Sequence, residues 1–289
     1  TTEDGVVRAT AEHPWLTTHG RWRQTSQLKV GQMLRFVSKP TKQSDVTGDY
    51  MAGYLAGIWK GDGTSGIYKS TNGISEKLYD KHHVKLACNY DALETASRYA
   101  KLLGIPVSIR SITPTKMYPG CDRALIGQSK EAYTAFQKIF QQITEKPSSE
   151  FKRGFLAGFF DAEGSWASQG QLRFTNFASA LIELVVDFLQ YFGFSCHIEK
   201  RGILLLGGYS EAVRFFALMC PTLLKNKQGF INRQLNKSSR ILSIEADGEE
   251  LVRNLETTTG NFIADGFITH NCFTPETALM TDGGLVSIH

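Results

Sequence analysis

Two stretches of this chain, DYMAGYLAGIWKGDG ending at Gly63 and FKRGFLAGFFDAEG ending at Gly164, repeat one pattern of small residues. Gly53, Gly57 and Gly61 in the first, and Gly154, Gly158 and Ala162 in the second, recur every four residues, which on a helix makes one smooth ridge. A glycine inside a helix costs about 1 kcal/mol against alanine, so a row of them calls for a second backbone pressed against that face. Two such ridges predict a helix pair in direct contact.

Each copy ends on an acid, Asp62 or Glu163, followed by a glycine suited to a left-handed C-terminal cap. If the ridges meet with the chains running the same way, both carboxylates arrive at the negative ends of two helix dipoles. Like charges that close raise a carboxylate's pKa, so a site that keeps both ionised expects a divalent cation. Two acids and a metal ion suit phosphodiester cleavage.

LAGIWKGDG and LAGFFDAEG resemble the two motifs of the LAGLIDADG homing endonucleases. The resemblance implies parallel motif helices at a pseudo-twofold interface, antiparallel sheets on either side that sit on double-stranded DNA, and one metal-binding acid per motif. By position these are Asp62 and Glu163, with Gly61 and Ala162 beside them in the metal set, and Mg²⁺ or another divalent cation as cofactor. Lys60 departs from the pattern, which has a second acid there, as Asp161 does in the other copy. The family also has a lysine facing the metal site near the end of each half, which maps to Lys227 and Lys146 and could steady the attacking water or the developing charge.

Between residues 46 and 237 the order helix, strand pair, helix, strand pair, helix is predicted twice, in halves of about 46–148 and 149–237. That is an α+β fold of two αββαββα halves, expected as a monomer with internal pseudo-symmetry. The strand stretches alternate polar residues that would face DNA: Lys69, Lys85, Arg110, Lys116 and Arg123, then Trp166, Gln171, Arg173, His197, Lys200 and Arg201. The net charge of +4 is compatible with nucleic acid but too mild to argue for it alone.

Residues 1–45 and 238–289 read instead as short strands and turns. Thr10 and His13, in TAEH, are similar to the TxxH element of inteins and related Hint domains. His270, Asn271 and Cys272 resemble an intein's C-terminal junction. An asparagine amide can attack its own carbonyl, a histidine can protonate the departing amide, and a thiol can hold the acyl group. CFTPETALMTDGGLVSIH looks like the start of an intein placed last, so the resemblance implies an all-β Hint splicing domain carrying the nuclease, its terminal order permuted, rearranged or followed directly by a second intein. Asn254 stands where that family has an aspartate.

Five cysteines without metal-ligand spacing fit a reducing compartment, and no apolar run approaches about 18 residues. An intracellular, cytoplasmic protein without membrane partners is expected. The reading is a site-specific, metal-dependent DNA endonuclease embedded in an intein. Its alternatives are a self-processing domain with a decayed nuclease, or a non-cleaving nucleic-acid binder such as a maturase.

Overall fold

Half-apolar runs broken by polar turns give the first 37 residues strands and no α-helix: β1 (Pro14–Leu16), β2 (Trp22–Gln24) and β3 (Met33–Arg35). The computed structural model describes residues 1–37, 46–71, 78–113, 121–223, 237–257, 260–270, 274, 277–281 and 284–287.

The first motif helix, α1 (Gly48–Asp62), starts at Thr47, whose side chain accepts a hydrogen bond from the Tyr50 amide at 3.2 Å. It runs directly into β4 (Gly63–Ser70), and β5 (Tyr79–Leu86), α2 (Tyr90–Leu102), β6 (Ser108–Ser111), β7 (Arg123–Gly127) and α3 (Lys130–Gln142) follow. The second motif helix, α4 (Ser149–Glu163), is capped in the same way by Ser148, which accepts from the Phe151 amide at 3.1 Å. After it come β8 (Gly164–Trp166), β9 (Leu172–Thr175), α5 (Ser179–Tyr191), β10 (Cys196–Glu199), β11 (Gly202–Leu205) and α6 (Gly208–Met219). Strand order is β4-β5-β7-β6 in one antiparallel sheet and β8-β9-β11-β10 in the other.

The glycine ridges do what their spacing predicts. A Cβ placed on Gly53 or Gly57 would lie 2.0 or 2.1 Å from the carbonyl oxygen of Phe151 or Phe155. Gly154 and Gly158 press equally hard on the carbonyls of Tyr50 and Tyr54, at 2.0 and 2.1 Å. The partners advance together along both chains, so α1 and α4 are parallel, and the contact is reciprocal. The large side chains flanking the ridge, among them Tyr50, Tyr54, Phe151, Phe155, Phe159 and Phe160, turn outward into one buried core shared with the sheets and outer helices.

One expectation changes. Gly63 and Gly164 are not left-handed caps: their φ values of −97° and −80° are extended, because each opens a strand at once. Glycine is needed there for space, since a Cβ would meet the Trp59 ring at 2.1 Å or the Phe160 carbonyl oxygen at 2.3 Å. α6 stops at Met219, because Pro221 follows and Cys220 takes a left-handed φ of 56°.

The last stretch forms β12 (Ser238–Arg240), β13 (Phe262–Ala264), β14 (Phe267–Thr269), β15 (Ala278–Thr281) and β16 (Gly284–Ser287). β12 pairs with β3, and a sheet of order β16-β15-β13-β14-β1-β2 joins the two ends of the sequence. Trp15, Leu34, Phe36, Ile241 and Phe267 make its separate small core. No helix among the described residues is long and apolar enough to cross a membrane.

Candidate metal and nucleic-acid site

Because α1 and α4 are parallel and in register, their C-terminal turns end side by side. A Cβ on Gly61 would touch the Ala162 methyl at 2.4 Å and lie 3.0 Å from Glu163 Cγ and 3.5 Å from its Oε1. Asp62 and Glu163 therefore occupy one locus at two negative helix ends. Burial, and then the charge of Glu163, push the Asp62 carboxyl up to about 7. Burial also raises Glu163, against the Asn176 side-chain amide, which donates to its Oε1 at 3.0 Å and lowers it. Asn176 is fixed for this by an Asx turn, its Oδ1 accepting from the Ala178 amide at 3.0 Å.

The donors here are all oxygen: two carboxylates, and the last-turn carbonyls of Gly61 and Ala162, which a helix end leaves without intrahelical donors. Two carboxylates crowded and half-buried without a cation beside them fit a hard divalent ion. No cluster of three or more His, Cys, Asp or Glu occurs among the described residues, so such an ion would complete its shell with water or with oxygens of a bound molecule.

Asp161 and Lys60 hold equivalent positions in the two motifs and behave differently. Asp161 is 5% exposed and accepts from Tyr54 Oη at 2.8 Å, the Thr222 amide at 2.7 Å and the Leu223 amide at 2.9 Å. It thus ties the chain leaving α6 to both motif helices. Lys60 instead sets its ammonium 4.9 Å from the centre of the Phe140 ring.

Lys146 does not reach the acids. Its neighbour Ser148 donates to Asp49 Oδ2 at 2.6 Å, at the N-terminal end of the helix pair. Fifteen residues of helix put the acids about 21 Å away, and two residues of chain recover at most about 7 Å. The end of the first half is carried there because α3 is followed by a short return to the start of α4. Lys227 lies outside the described residues, as do Lys116, Asn271 and Cys272.

Strand register sorts the proposed DNA contacts. Val84 and Leu86 are buried under the helices, so Lys85 lies on the open face with Lys81 and His83. Cross-strand pairing adds Tyr68, opposite Lys81, and Arg110, reached through Ile126 and Ala124. Lys69 and Arg123 fall on the other face. Lys69 Nζ is held by Asp80 at 2.6 Å, and the Arg123 guanidinium sits 5.0 Å from the Tyr90 ring centre. In the second sheet Arg173 and His197 share the open face, and Gln171, one step before buried Leu172, alternates onto it. Trp166 does not: it pairs with Leu172 and packs on Tyr209 and Phe216 of α6. Lys200 and Arg201 are exposed in the β10–β11 turn, with Arg201 5.6 Å from the Phe177 ring centre. Lys81, His83 and Asn176 were missed, although the i, i+2, i+4 spacing of Lys81, His83 and Lys85 was visible in YDKHHVKL.

In the flanking sheet His13 is buried, and its Nε2 lies 2.6 Å from Thr269 Oγ1. The threonine gives its one hydroxyl proton to the Pro14 carbonyl at 2.7 Å, so His13 Nε2 carries the proton it shares with Thr269. The amide of His13 donates to the Thr10 carbonyl at 3.2 Å, and the His270 ring sits 4.6 Å from that of Trp22.

No curated protein matches the chain significantly. Among solved structures, I-DmoI in complex with DNA and Mn is 20% identical, with 56% of this chain and 91% of that chain covered and a TM-score of 0.43. I-DmoI in complex with DNA and Ca is 20% identical, over 58% and 88%, with a TM-score of 0.45. The N-terminal LAGLIDADG domain of DUF199/WhiA is 15% identical, over 65% and 85%, with a TM-score of 0.39. Residues 150–217, from the first turn of α4 to the last of α6, match the family model described as a LAGLIDADG-like domain.

Proposed function

We propose that this chain is a metal-dependent, site-specific DNA endonuclease of the homing type, built of two LAGLIDADG halves (46–148 and 149–237) inserted between splicing-domain segments 1–45 and 238–289. The observation that carries it is the meeting of Asp62 and Glu163 at the ends of two parallel helices locked by reciprocal glycine contacts, with Asp62 pushed to about 7. That arrangement opposes the stability of the metal-free fold and is explained by a cation bound between the acids.

Asp62, Glu163 and the carbonyls of Gly61 and Ala162 would hold the ion. When bound, it would lower the pKa of coordinated water and offset charge growing on a phosphate. Asn176 orients Glu163 through its amide hydrogen bond. The Asp161 clamp brings the chain after α6, as far as Leu223, to the same end of the helix pair. Two open sheet faces bearing Lys81, Lys85, Arg110 and Arg173 would take the phosphates and base edges of duplex DNA, each half serving one strand. Incubating the protein and its Asp62→Asn variant with a library of duplexes and Mg²⁺ tests this. Metal-dependent double-strand cuts made only by the unaltered chain are expected, and absence of any cutting sinks the reading.

A second reading, self-processing at Asn271-Cys272, is favoured by one observation: β1 pairs with β14, bringing buried His13 against Thr269, two residues before the junction asparagine. Intact-mass measurement of fresh protein should show loss of the segment beginning at Cys272, and Asn271→Ala should stay whole.

A further inference from the structure

The two open sheet faces are unlike in length and in charge. β4 and β5 have eight residues each, about 26 Å of strand, or about eight base pairs of duplex at about 3.4 Å per step. β8 and β9 have three and four residues, about 13 Å, or about four base pairs. Both hairpins start from the same end of the paired motif helices, so the difference is one of reach away from a shared centre.

Charge follows length. The paired positions of the first open face carry Lys81, Lys85 and Arg110 and no carboxylate. His83 lies between the two lysines and is held below the usual histidine range by burial and by both of them. On the second open face Arg173 is spent on Glu199, with Nε to Oε2 at 2.8 Å and Nη2 to Oε1 at 3.2 Å. Leu204 lies directly across from Arg173, and His197 is the remaining ionisable group at the paired positions. At the paired positions three cations without a carboxylate partner among the described residues, Arg110 held only by the neutral Ser108 and Gln128, face one half of a bound duplex, and a neutralised Arg173–Glu199 pair faces the other, with Lys200 and Arg201 beyond it in the β10–β11 turn.

Resting on the nuclease reading, we infer that the DNA target is read unequally: the β4-β5-β7-β6 sheet takes a long half-site and most of the sequence recognition, and the β8-β9-β11-β10 sheet holds a short one. Phosphate contacts set affinity and base edges set specificity, and the first face has both more cations and more strand to place them on.

Selection from a random-sequence duplex library, with the cut positions mapped in Mg²⁺, tests this together with two double variants measured for binding without divalent cation. The recovered sequences should be constrained over about twice as many positions on one side of the cut as on the other. Lys81→Ala/Lys85→Ala should weaken binding about tenfold or more and flatten the salt dependence by about two phosphate contacts; Arg173→Ala/His197→Ala should cost less than about threefold. Equal constraint on both sides of the cut, or equal losses from the two double variants, overturns the inference while leaving the nuclease reading intact. Binding without cutting removes the nuclease reading and leaves the variant pair to decide the asymmetry. No enrichment of any duplex overturns both.

Discussion

Asp62 sets a conflict between stability and chemistry that is measurable without substrate. Its folded-state carboxyl titrates near 7 against an ordinary 3.8, so between those pH values the native state holds a proton that the unfolded chain has released. Native stability from this group is therefore intact at low pH and lost as pH rises towards 7. Asp62→Asn should match the unaltered protein near about pH 4 and be more stable by about 1–3 kcal/mol near about pH 8 in chelator, the magnitude reduced for the group's partial exposure. Added Mg²⁺ should raise the melting temperature of the unaltered protein at neutral pH and leave that of Asp62→Asn nearly unmoved. Thermal unfolding at both pH values reads out each expectation. Asn176 offers a second test: Asn176→Ala removes the donor that steadies Glu163 and should weaken Mg²⁺ binding about 10- to 100-fold, measured by calorimetry, with little change in melting temperature. Asp161→Ala should act the other way, on the fold. It strands the Thr222 and Leu223 amides, leaves the Tyr54 hydroxyl with Thr222 Oγ1 at 3.2 Å, and should cost about 2–4 kcal/mol in chemical denaturation.

At the scale of elements, the helix pair tolerates nothing larger than glycine at the four closest positions of its seam, Gly53, Gly57, Gly154 and Gly158. Alanine at Gly57 or Gly158 would gain about 1 kcal/mol of helix propensity in isolation. Here its methyl carbon would sit 2.1 Å from the Phe155 or Tyr54 carbonyl oxygen, both on the backbone of the facing helix. Neither backbone can move alone, because the outward faces of α1 and α4 are buried in one shared core. Gly57→Ala and Gly158→Ala should each destabilise by about 3 kcal/mol or more, and by similar amounts because the contacts are reciprocal. The ladder of i, i+4 glycines was fully legible in the sequence, since it depends only on helical periodicity. The faces of the strands were not. Alternation separates Lys69 from Lys85 in principle, but which set looks outward depends on which side α2 and α3 cover and on the pairing register. Trp166 shows the same limit, an aromatic strand residue that packs inward on α6.

For the whole molecule, the two ends of the sequence depend on each other. β1 lies between β2 and β14, β3 pairs with β12, and the Thr1 amine donates to the Ser243 carbonyl at 2.9 Å. A cut within residues 38–45 should leave residues 1–37 bound to the remainder through size-exclusion chromatography, since the joining contacts are strand pairs and a small core rather than that peptide alone. The sequence by itself determined the paired motif helices, the acid closing each of them and the strand-rich ends, because periodicity and local spacing specify those directly. Only the tertiary structure decided that Lys146 sits at the wrong end of the helix pair, that Asn176 reaches Glu163, that Lys69, Arg123 and Trp166 lie off the open faces of their sheets, and that the two open sheet faces are unequal. Those facts follow from where the chain turns back and which surfaces become covered, and such long-range packing leaves no local mark in the order of residues.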